Sequence, residues 1–250
     1  MPRFYCPLPL AVGTTVDLPE TVVRHLQVLR MAPGDPLKLF NGQGGCWRAA
    51  LAFLDKKRAQ ASVTGFDERE AELPFAVTLA QGLPEGTKMD WIVEKAVELG
   101  VAAVQPLAAQ RSVVKLAGER ADKRIAHWQA VVVAASEQCG RNRLARVAPL
   151  AQYGQWIAQP AAQPRILLSP RASQSLPAWA AANQPQDVCI VIGPEGGFSE
   201  QEEDLAVAGG ALMLSMGPRV LRTETAGLAA LAALAALWGG MSSATGTPGR

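Results

Sequence analysis

The sequence predicts an α/β fold in two parts, a small β-barrel followed by a mainly parallel sheet with helices on both faces. Residues 1–70 contain strand-length runs separated by turns. From Phe75 onward, short apolar runs alternate with helical segments. Such alternation is typical of βαβ units, whose crossover helices cover the faces of a parallel sheet. The charged, proline-terminated stretch at residues 67–74 is the predicted linker.

The predicted barrel domain, residues 1–70, contains three strand-length runs. A glycine-rich turn, "NGQGG" at 41–45, separates the first two of them. "ETVVRHLQVLR" at 20–30 is predicted to be a short helix. The predicted strands are "DPLKLF" at 35–40, "GCWRAALAFL" at 45–54 and "RAQASVTGF" at 58–66.

The second predicted domain, residues 74–240, alternates strands with helices. The helix at 199–210 opens with a capping box, Ser199 and Glu202, and has acidic residues in its first turn. Residues 241–250 are predicted to be a flexible tail. The other predicted helices are 88–100 and 124–140, and the predicted strands are 75–81, 101–108, 165–170, 188–194 and 211–218.

Composition excludes several classes of protein. A formal net charge of +2 offers no bulk attraction to nucleic acid, so any such binding must come from local clusters of basic residues. The four cysteines lie far apart and predict reduced thiols without a metal site. The start of the chain lacks a signal-peptide pattern, and the apolar stretch at 226–240 is shorter than the roughly 20 residues that span a bilayer. We therefore expect a cytoplasmic protein without membrane or metal.

Three proline-bearing loops each follow a predicted strand. They are "LLSPR" at 167–171, "IGPEGG" at 192–197 and "SMGPR" at 215–219. Any one of them alone is explained equally well as a tight turn. Because ligands of open α/β sheets bind beyond the carboxyl ends of the strands, three such loops together predict a shared ligand site.

The glycines of "IGPEGG" do not form a phosphate-binding motif. The sequence has no GxxxxGK[ST], and Pro194 and Glu195 break the GxGxxG pattern. The carboxylate of Glu195 and the acids at 200–204 repel a phosphate at the helix N-terminus. A nucleoside with a positive charge fits better, and S-adenosylmethionine is such a ligand.

Several segments together resemble a known family. "PRFY", "MDWIVEKAVELG", "SEQCGR", "GPEGGFS" and "LSMGPRVLRTETA" occur in this order over nearly the whole chain. They resemble the ribosomal small-subunit RNA methyltransferase E family of SPOUT methyltransferases. Met216 stands where the motif usually has leucine, and Pro2 where members often have a basic residue.

The resemblance implies a PUA-like barrel and a SPOUT α/β domain with a C-terminal trefoil knot. It also implies a homodimer that uses S-adenosylmethionine to methylate N3 of one uridine in 16S ribosomal RNA of the small subunit. The residues expected to bind S-adenosylmethionine are Leu168, Ser169, Gly193, Pro194, Glu195, Gly196, Gly197, Leu214, Met216, Gly217, Val220, Leu221 and Thr225.

Arg222 and Glu224 are the candidate catalytic residues. Uridine N3 must lose its imide proton, which calls for a base and for a cation that stabilises the resulting anion. Glu224 is the candidate proton acceptor or partner of Arg222, and Arg222 is the candidate cation. The same residues also suit a plain helix start, with Thr223 as N-cap.

Basic residues that are expected to contact RNA lie in both predicted domains. The candidates are Arg3, Arg30, Arg48, Arg111, Arg141 and Arg143. On the helix at 88–100, Asp90, Glu94 and Glu98 form an acidic face. This face is either solvated or covered by a cation such as Arg111 or Arg141. Three alternatives stay open: methylation of a ribose 2′-hydroxyl or another base, a non-enzymatic RNA-binding or assembly protein, and, less favoured, an NTP-binding enzyme.

Overall fold

A computed structural model describes residues 1–241, so the predicted tail lies outside the described residues apart from Met241. The chain forms two compact units. The first comprises residues 1–72 and 133–144, and the second comprises residues 73–132 and 145–241. The sequence assigned 133–144 to the second domain because these residues continue one helical pattern, which gives no sign of a boundary.

The first unit is a five-stranded sheet with one complete helix and the end of a second helix. The strand order is β1-β3-β4-β5-β2, with β1 and β3 parallel and the other neighbours antiparallel. The helix predicted at 20–30 is confirmed, and its Val22, Val23 and Leu26 belong to the buried core of this unit. Its elements are β1 (Arg3–Tyr5), β2 (Thr15–Asp17), α1 (Glu20–Val28), β3 (Pro36–Phe40), β4 (Cys46–Leu54) and β5 (Ala59–Asp67).

The second unit is a parallel sheet covered by helices. The strand order is β12-β10-β11-β6-β7-β8, and β9 also pairs with β7. Its strands are β6 (Val77–Gly82), β7 (Ala103–Ala108), β8 (Arg146–Val147), β9 (Ala151–Gln152), β10 (Arg165–Leu168), β11 (Val188–Ile192) and β12 (Leu212–Leu214). Its helices are α2 (Lys88–Glu98), α3 (Glu119–Cys139, whose end belongs to the first unit), α4 (Tyr153–Ile157), α5 (Leu176–Ala181), α6 (Glu200–Ala208) and α7 (Thr223–Leu237).

Helices on both faces of the second sheet explain why its central strand β11 is apolar throughout. All five residues of β11 are buried. Cys189 and Val191 pack in a cluster with residues of α4 and α6. On the other face α7 approaches so closely that a Cβ on Gly227 would lie 2.9 Å from Leu79 Cδ1. The prediction of a parallel sheet between two helix layers is confirmed.

Strand order places the predicted loops together. The chain runs through β10, β11 and β12 in turn, yet β10 lies between the other two in the sheet. All three strands are parallel, so their carboxyl ends lie at the same edge. The loops that follow these strands are therefore neighbours.

Helix α2 buries one apolar face, formed by Met89, Ile92, Val93, Ala96 and Val97. The acidic side chains of α2 are bound by side chains that lie close to them. Lys95 of the same helix binds both Glu94 and Glu98, each at 2.7 Å. The carboxylate of Asp90 accepts hydrogen bonds from Trp128 and His127 of α3. The expectation that Arg111 or Arg141 sits over this face is wrong.

The cysteines are free, and all but Cys139 are buried. Burial raises the pKa of Cys189 to about 12, which keeps this thiol protonated. Residues 1–241 contain no cluster of His, Cys, Asp or Glu side chains suited to a metal ion. None of the helices in the described chain is both long and apolar enough to cross a membrane.

Candidate functional site

A cavity of about 650 Å³ lies beyond the carboxyl ends of β10, β11 and β12. Three segments form its walls: residues 168–171, residues 192–198 and residues 216–224. We call residues 193–198 the glycine loop and residues 216–222 the arginine loop. The predicted shared site is thus a real concavity, with a volume within the usual range for small-molecule pockets.

Most of the residues expected to bind a cofactor line this cavity. The exceptions are Leu214, which is buried in β12, and Thr225, which points to solvent from α7. Both candidate catalytic residues, Arg222 and Glu224, are in the lining. The lining residues from the predicted set are Leu168, Ser169, Gly193, Pro194, Glu195, Gly196, Gly197, Met216, Gly217, Val220 and Leu221.

The glycine loop folds back on itself tightly. A Cβ on Gly193 would lie 2.9 Å from the carbonyl carbon of Gly197, so a side chain there must displace main chain. Gly197 has a φ of +66°, a region that favours glycine, and its N–H donates to Pro194 O at 2.8 Å. The glycines therefore shape a compact turn and leave main-chain groups facing the cavity.

Glu195 is engaged in holding the glycine loop. Its Oε1 accepts from Lys88 Nζ at 2.5 Å and from the Glu85 N–H at 3.0 Å. Burial by itself would raise the pKa of Glu195, but these two hydrogen bonds outweigh it, and the pKa is lowered. The hydrogen bond to Glu195 in turn raises the pKa of Lys88. Both groups remain charged at neutral pH.

Arg111 and the capping box of α6 hold the other side of the glycine loop. Arg111 donates to the carbonyl of Gly196 at 2.9 Å and to that of Phe198 at 3.3 Å. The Ser199 and Glu202 capping box is present, which confirms the prediction. Glu202 also accepts from the Gln110 N–H at 2.8 Å. The loop is thus anchored at both ends.

Arg171 is a lining residue that the sequence did not single out. Its guanidinium pairs with Glu200 at 3.3 Å and with Glu203, both in the first turn of α6. The acidic turn predicted to repel an anion is therefore partly neutralised. The sequence contained little indication of this role for Arg171, because the loop after β10 comes to lie beside α6 only in the folded chain. The other unpredicted lining residues are Lys88, Pro170, Ile192, Phe198, Glu200, Glu203, Arg219, Thr223 and Ala226.

The arginine loop offers unpaired cations. Arg219 and Arg222 are exposed, and neither side chain has a hydrogen bond or ion pair with residues 1–241. Between them Val220 is 82% exposed. This wall of the cavity is therefore free to contact a second, negatively charged molecule.

The start of α7 differs from the expected cap. Arg222 is the N-cap and makes no side-chain capping bond. The Thr223 hydroxyl instead donates to the carbonyl of Gly193 at 2.6 Å, so the expectation that Thr223 caps the helix is wrong. One carboxylate oxygen of Glu224, Oε2, is buried and has no hydrogen-bond partner in the described chain. An unpaired acceptor at the cavity wall is suited to receive a proton or a donor group.

The arginines expected to contact RNA fall into two groups. Arg141 is 3% exposed and its guanidinium pairs with Glu72, so it holds the first unit together instead of meeting a phosphate. Arg3 donates to the Arg141 carbonyl and to Asn142. In contrast, the others are exposed: Arg30, Arg48 and Arg143 in the first unit, and Arg111 in the second.

Taken together, the cavity combines a rigid main-chain turn, a buried unpaired carboxylate oxygen and two unpaired guanidinium groups. The turn can bind a neutral heterocycle through main-chain donors and acceptors. The carboxylate and the cations can remove a proton and stabilise the anion left behind.

Family models match both units of the chain. A model described as RNA methyltransferase domain matches residues 71–235, and one described as RNA methyltransferase PUA domain matches residues 18–64. The first of these covers well over half of the chain. The fold is thus an α/β methyltransferase domain preceded by a PUA domain.

Relatives named ribosomal RNA small subunit methyltransferase E resemble the whole chain. The Synechocystis protein is 35% identical over 90% of this chain and 74% of its own length, and the Bacillus subtilis protein is 33% identical over 86% and 87%. The Neisseria gonorrhoeae protein of that name, solved with S-adenosylmethionine, superposes with a TM-score of 0.88 at 42% identity over 95% of this chain and 98% of its own. This chain therefore belongs to the ribosomal RNA small subunit methyltransferase E family.

Proposed function

We propose that this protein transfers a methyl group from S-adenosylmethionine to N3 of a uridine in 16S ribosomal RNA of the small ribosomal subunit. The observation that carries the proposal is the cavity between the glycine loop and the arginine loop, in a chain of this family. We also propose a cytoplasmic location, because ribosomal RNA is its substrate.

The cavity fits S-adenosylmethionine. Its volume suits a nucleoside with an amino-acid tail, and the glycine loop offers main-chain groups for the adenine ring. The cations Lys88 and Arg171 are already paired with glutamates, so they add little repulsion toward a positive sulfonium. When bound, S-adenosylmethionine would supply the methyl group, which would pass from its positively charged sulfur to the deprotonated uracil N3 and leave S-adenosylhomocysteine.

The residues of the cavity supply the rest of the chemistry. Glu224 accepts the imide proton of N3 at Oε2, the oxygen that lacks a partner. The negative charge then spreads over the two uracil oxygens beside N3, and the unpaired guanidinium of Arg222 stabilises it there. Arg219 binds a phosphate beside the target nucleotide. The target base must be unstacked for its N3 edge to reach the cavity.

The first unit is proposed to bind RNA through one face of its sheet. Lys38 is paired in register with Arg3 on one side and with Arg48 on the other, so the three side chains share a face. Arg3 is engaged with Asn142, and Lys38 lies 3.7 Å from Asp67. Arg48 is the exposed cation of this row, and Arg30 and Arg143 are also exposed. We assign phosphate contacts to these three arginines and to Arg111 of the second unit.

We further propose a trefoil knot at the C-terminus and a homodimer. The position of β10 between β12 and β11 is the strand order that supports a knotted path. Apolar residues on and after α7 remain exposed, with Leu237 at 47% and Met241 at 58%. These exposed apolar side chains follow the buried Leu231 and Leu234 of α7 and support an interface between two copies.

Nucleoside analysis tests the proposed reaction. Small subunits from a strain that lacks the gene are incubated with the protein and S-adenosylmethionine, and their 16S RNA is digested and examined by mass spectrometry. We expect 3-methyluridine to appear. A 2′-O-methylated nucleoside or another methylated base would replace the proposed specificity with a related one.

A binding experiment separates an enzyme from an assembly factor. We expect S-adenosylmethionine and S-adenosylhomocysteine to raise the melting temperature of the purified protein. A protein that binds small subunits, yet gains no heat stability from either compound and transfers no methyl group, would be a non-enzymatic RNA-binding protein.

A further inference from the structure

A buried glutamine lies directly beneath the proposed active site. Gln81, near the end of β6, is 0% exposed. Its Nε2 donates to the carbonyl of Gly82 at 2.9 Å and to the hydroxyl of Thr223 at 2.8 Å. Buried amides are costly unless they are hydrogen-bonded, so these two bonds define the orientation of the side chain.

The Thr223 hydroxyl is in turn hydrogen-bonded to the glycine loop. It donates to the carbonyl of Gly193 at 2.6 Å. A carbonyl only accepts, so the hydroxyl proton must point to Gly193, and its oxygen is left to accept from Gln81. Two consecutive hydrogen bonds therefore join β6, the first residue of α7 and the glycine loop.

Packing brings the same three elements together. Thr223 and Gly227 are four residues apart and share one face of α7, while Leu79 and Gln81 share one face of β6. A Cβ on Gly227 would lie 2.9 Å from Leu79 Cδ1 and 3.5 Å from Ile192 Cγ1. The first turns of α7 thus lie against β6 and β11, where a small shift has no free space to occupy.

We propose that Gln81 is a positioning residue for methyl transfer, an inference that rests on the function proposed above. It is not in the lining of the cavity and acts through Thr223. Arg222 and Glu224 flank Thr223 in the chain, and Gly193 opens the glycine loop. The Gln81–Thr223–Gly193 relay therefore fixes the two proposed catalytic residues relative to the proposed donor site.

The donor atom of Gln81 matters more than its acceptor atom. Oε1 of Gln81 is buried and has no hydrogen-bond partner among residues 1–241, whereas Nε2 makes both bonds. A Gln81→Glu variant has the same shape but cannot donate to both partners. We expect it to behave like Gln81→Met, which has a similar size and no hydrogen-bonding group.

The chain contains a matched control. Gln105, on the neighbouring strand β7, also donates from Nε2 to the carbonyl of its following residue, Pro106, and to a second carbonyl, that of Pro149. Neither of these hydrogen bonds involves the glycine loop. Gln105→Met thus removes a similar pair of hydrogen bonds from the same sheet without breaking the relay.

The test compares Gln81→Met, Thr223→Val and Thr223→Ser with Gln105→Met in the full-length protein. We expect kcat on small subunits to fall about 10- to 100-fold in Gln81→Met and Thr223→Val. In Gln81→Met the Kd for S-adenosylhomocysteine should change by about threefold or less, since Gln81 does not line the cavity. Thr223→Ser keeps the hydroxyl and should restore most of kcat, and Gln105→Met should leave kcat unchanged.

Hydrogen exchange gives a readout that needs no activity. In the free protein, amides of 193–198 and 223–227 should exchange about tenfold faster in Gln81→Met and Thr223→Val than in the wild type. Gln105→Met should leave both segments as they are. A wild-type protein that fails to methylate RNA would overturn the proposed function, while the exchange data still decide whether the relay holds the two segments.

Either of two results would overturn the inference. One is an unchanged kcat in a folded Gln81→Met protein. The other is an equal loss of kcat in Gln105→Met, which would show that any weakened hydrogen bond in the sheet has this effect. If Gln81→Met does not fold, the Thr223→Val and Thr223→Ser pair decides: equal kcat values for the two would refute the relay.

Discussion

The two loops that face each other across the cavity differ in how their polar groups are used. In the glycine loop Glu195 is held by Lys88, the Gly196 carbonyl by Arg111, and the Gly193 carbonyl by Thr223. In the arginine loop Arg219 and Arg222 have no partner among the described residues. One wall is preorganised, which lowers the entropic cost of binding a ligand. The wall formed by the arginine loop carries unpaired positive charge, which suits an anionic substrate.

We expect the largest loss of activity from a substitution of Arg222. Replacing Arg222 with Ala removes the cation that we assign to the uracil anion, so kcat should fall about 10²- to 10³-fold. The Kd for S-adenosylmethionine should stay within about twofold, since we assign Arg222 to the uracil anion and not to the donor. Single-turnover methylation and calorimetry measure the two values. A loss confined to cofactor affinity would place Arg222 in the donor site instead.

We expect the second-largest effect, a loss of cofactor affinity, from a substitution in the glycine loop. In Gly193→Ala the new Cβ would lie 2.9 Å from the carbonyl carbon of Gly197, which forces the turn apart. We expect the Kd for S-adenosylmethionine to rise about tenfold or more, because preorganisation is lost. Gly154→Ala is the control, since its Cβ would meet only Leu205 Cδ2 at 3.8 Å. Equal affinities of the two variants, measured by calorimetry, would argue against a donor role for this loop.

A smaller effect is expected at Arg219. Arg219→Ala should raise KM for small subunits about three- to tenfold with kcat nearly unchanged, because a phosphate contact is lost. The slope of log affinity against log salt should become about one unit less steep. Filter binding at several salt concentrations tests this. A changed cofactor Kd with an unchanged salt slope would contradict the assignment.

The smallest effect concerns Glu195 and depends on pH. The folded-state pKa of Glu195 is lowered, so its pairing with Lys88 stabilises the fold above the ordinary glutamate pKa of about 4.3 and loses its effect as pH falls through the folded-state value. Wild type should therefore melt slightly above Glu195→Gln at pH 7, and the difference should shrink toward pH 4 and below. A difference that grows on acidification would refute the ion pair.

Local patterns predicted most of the elements because their causes are local. The sequence pattern predicted helix α2, and the capping box of Ser199 and Glu202 marked the start of α6. The three proline-bearing loops were expected to meet, since parallel strands end at one edge, and they do. The predictions about charged side chains were less successful. Arg141, read as an RNA contact within a basic run, is paired with Glu72, 69 residues earlier.

The sequence by itself determined the alternation of strands and helices, the turn chemistry of the glycine loop and the position of the candidate catalytic pair. Each of these depends on residues that are near one another in the chain. Only the tertiary structure decided which charges are paired and which are free. In the folded chain Glu195 forms an ion pair with Lys88, Arg171 forms one with Glu203 of α6, and Gln81 is hydrogen-bonded to Thr223. Arg222 has no such partner among the described residues. Such choices depend on contacts across more than 25 residues of chain, and no local pattern encodes them.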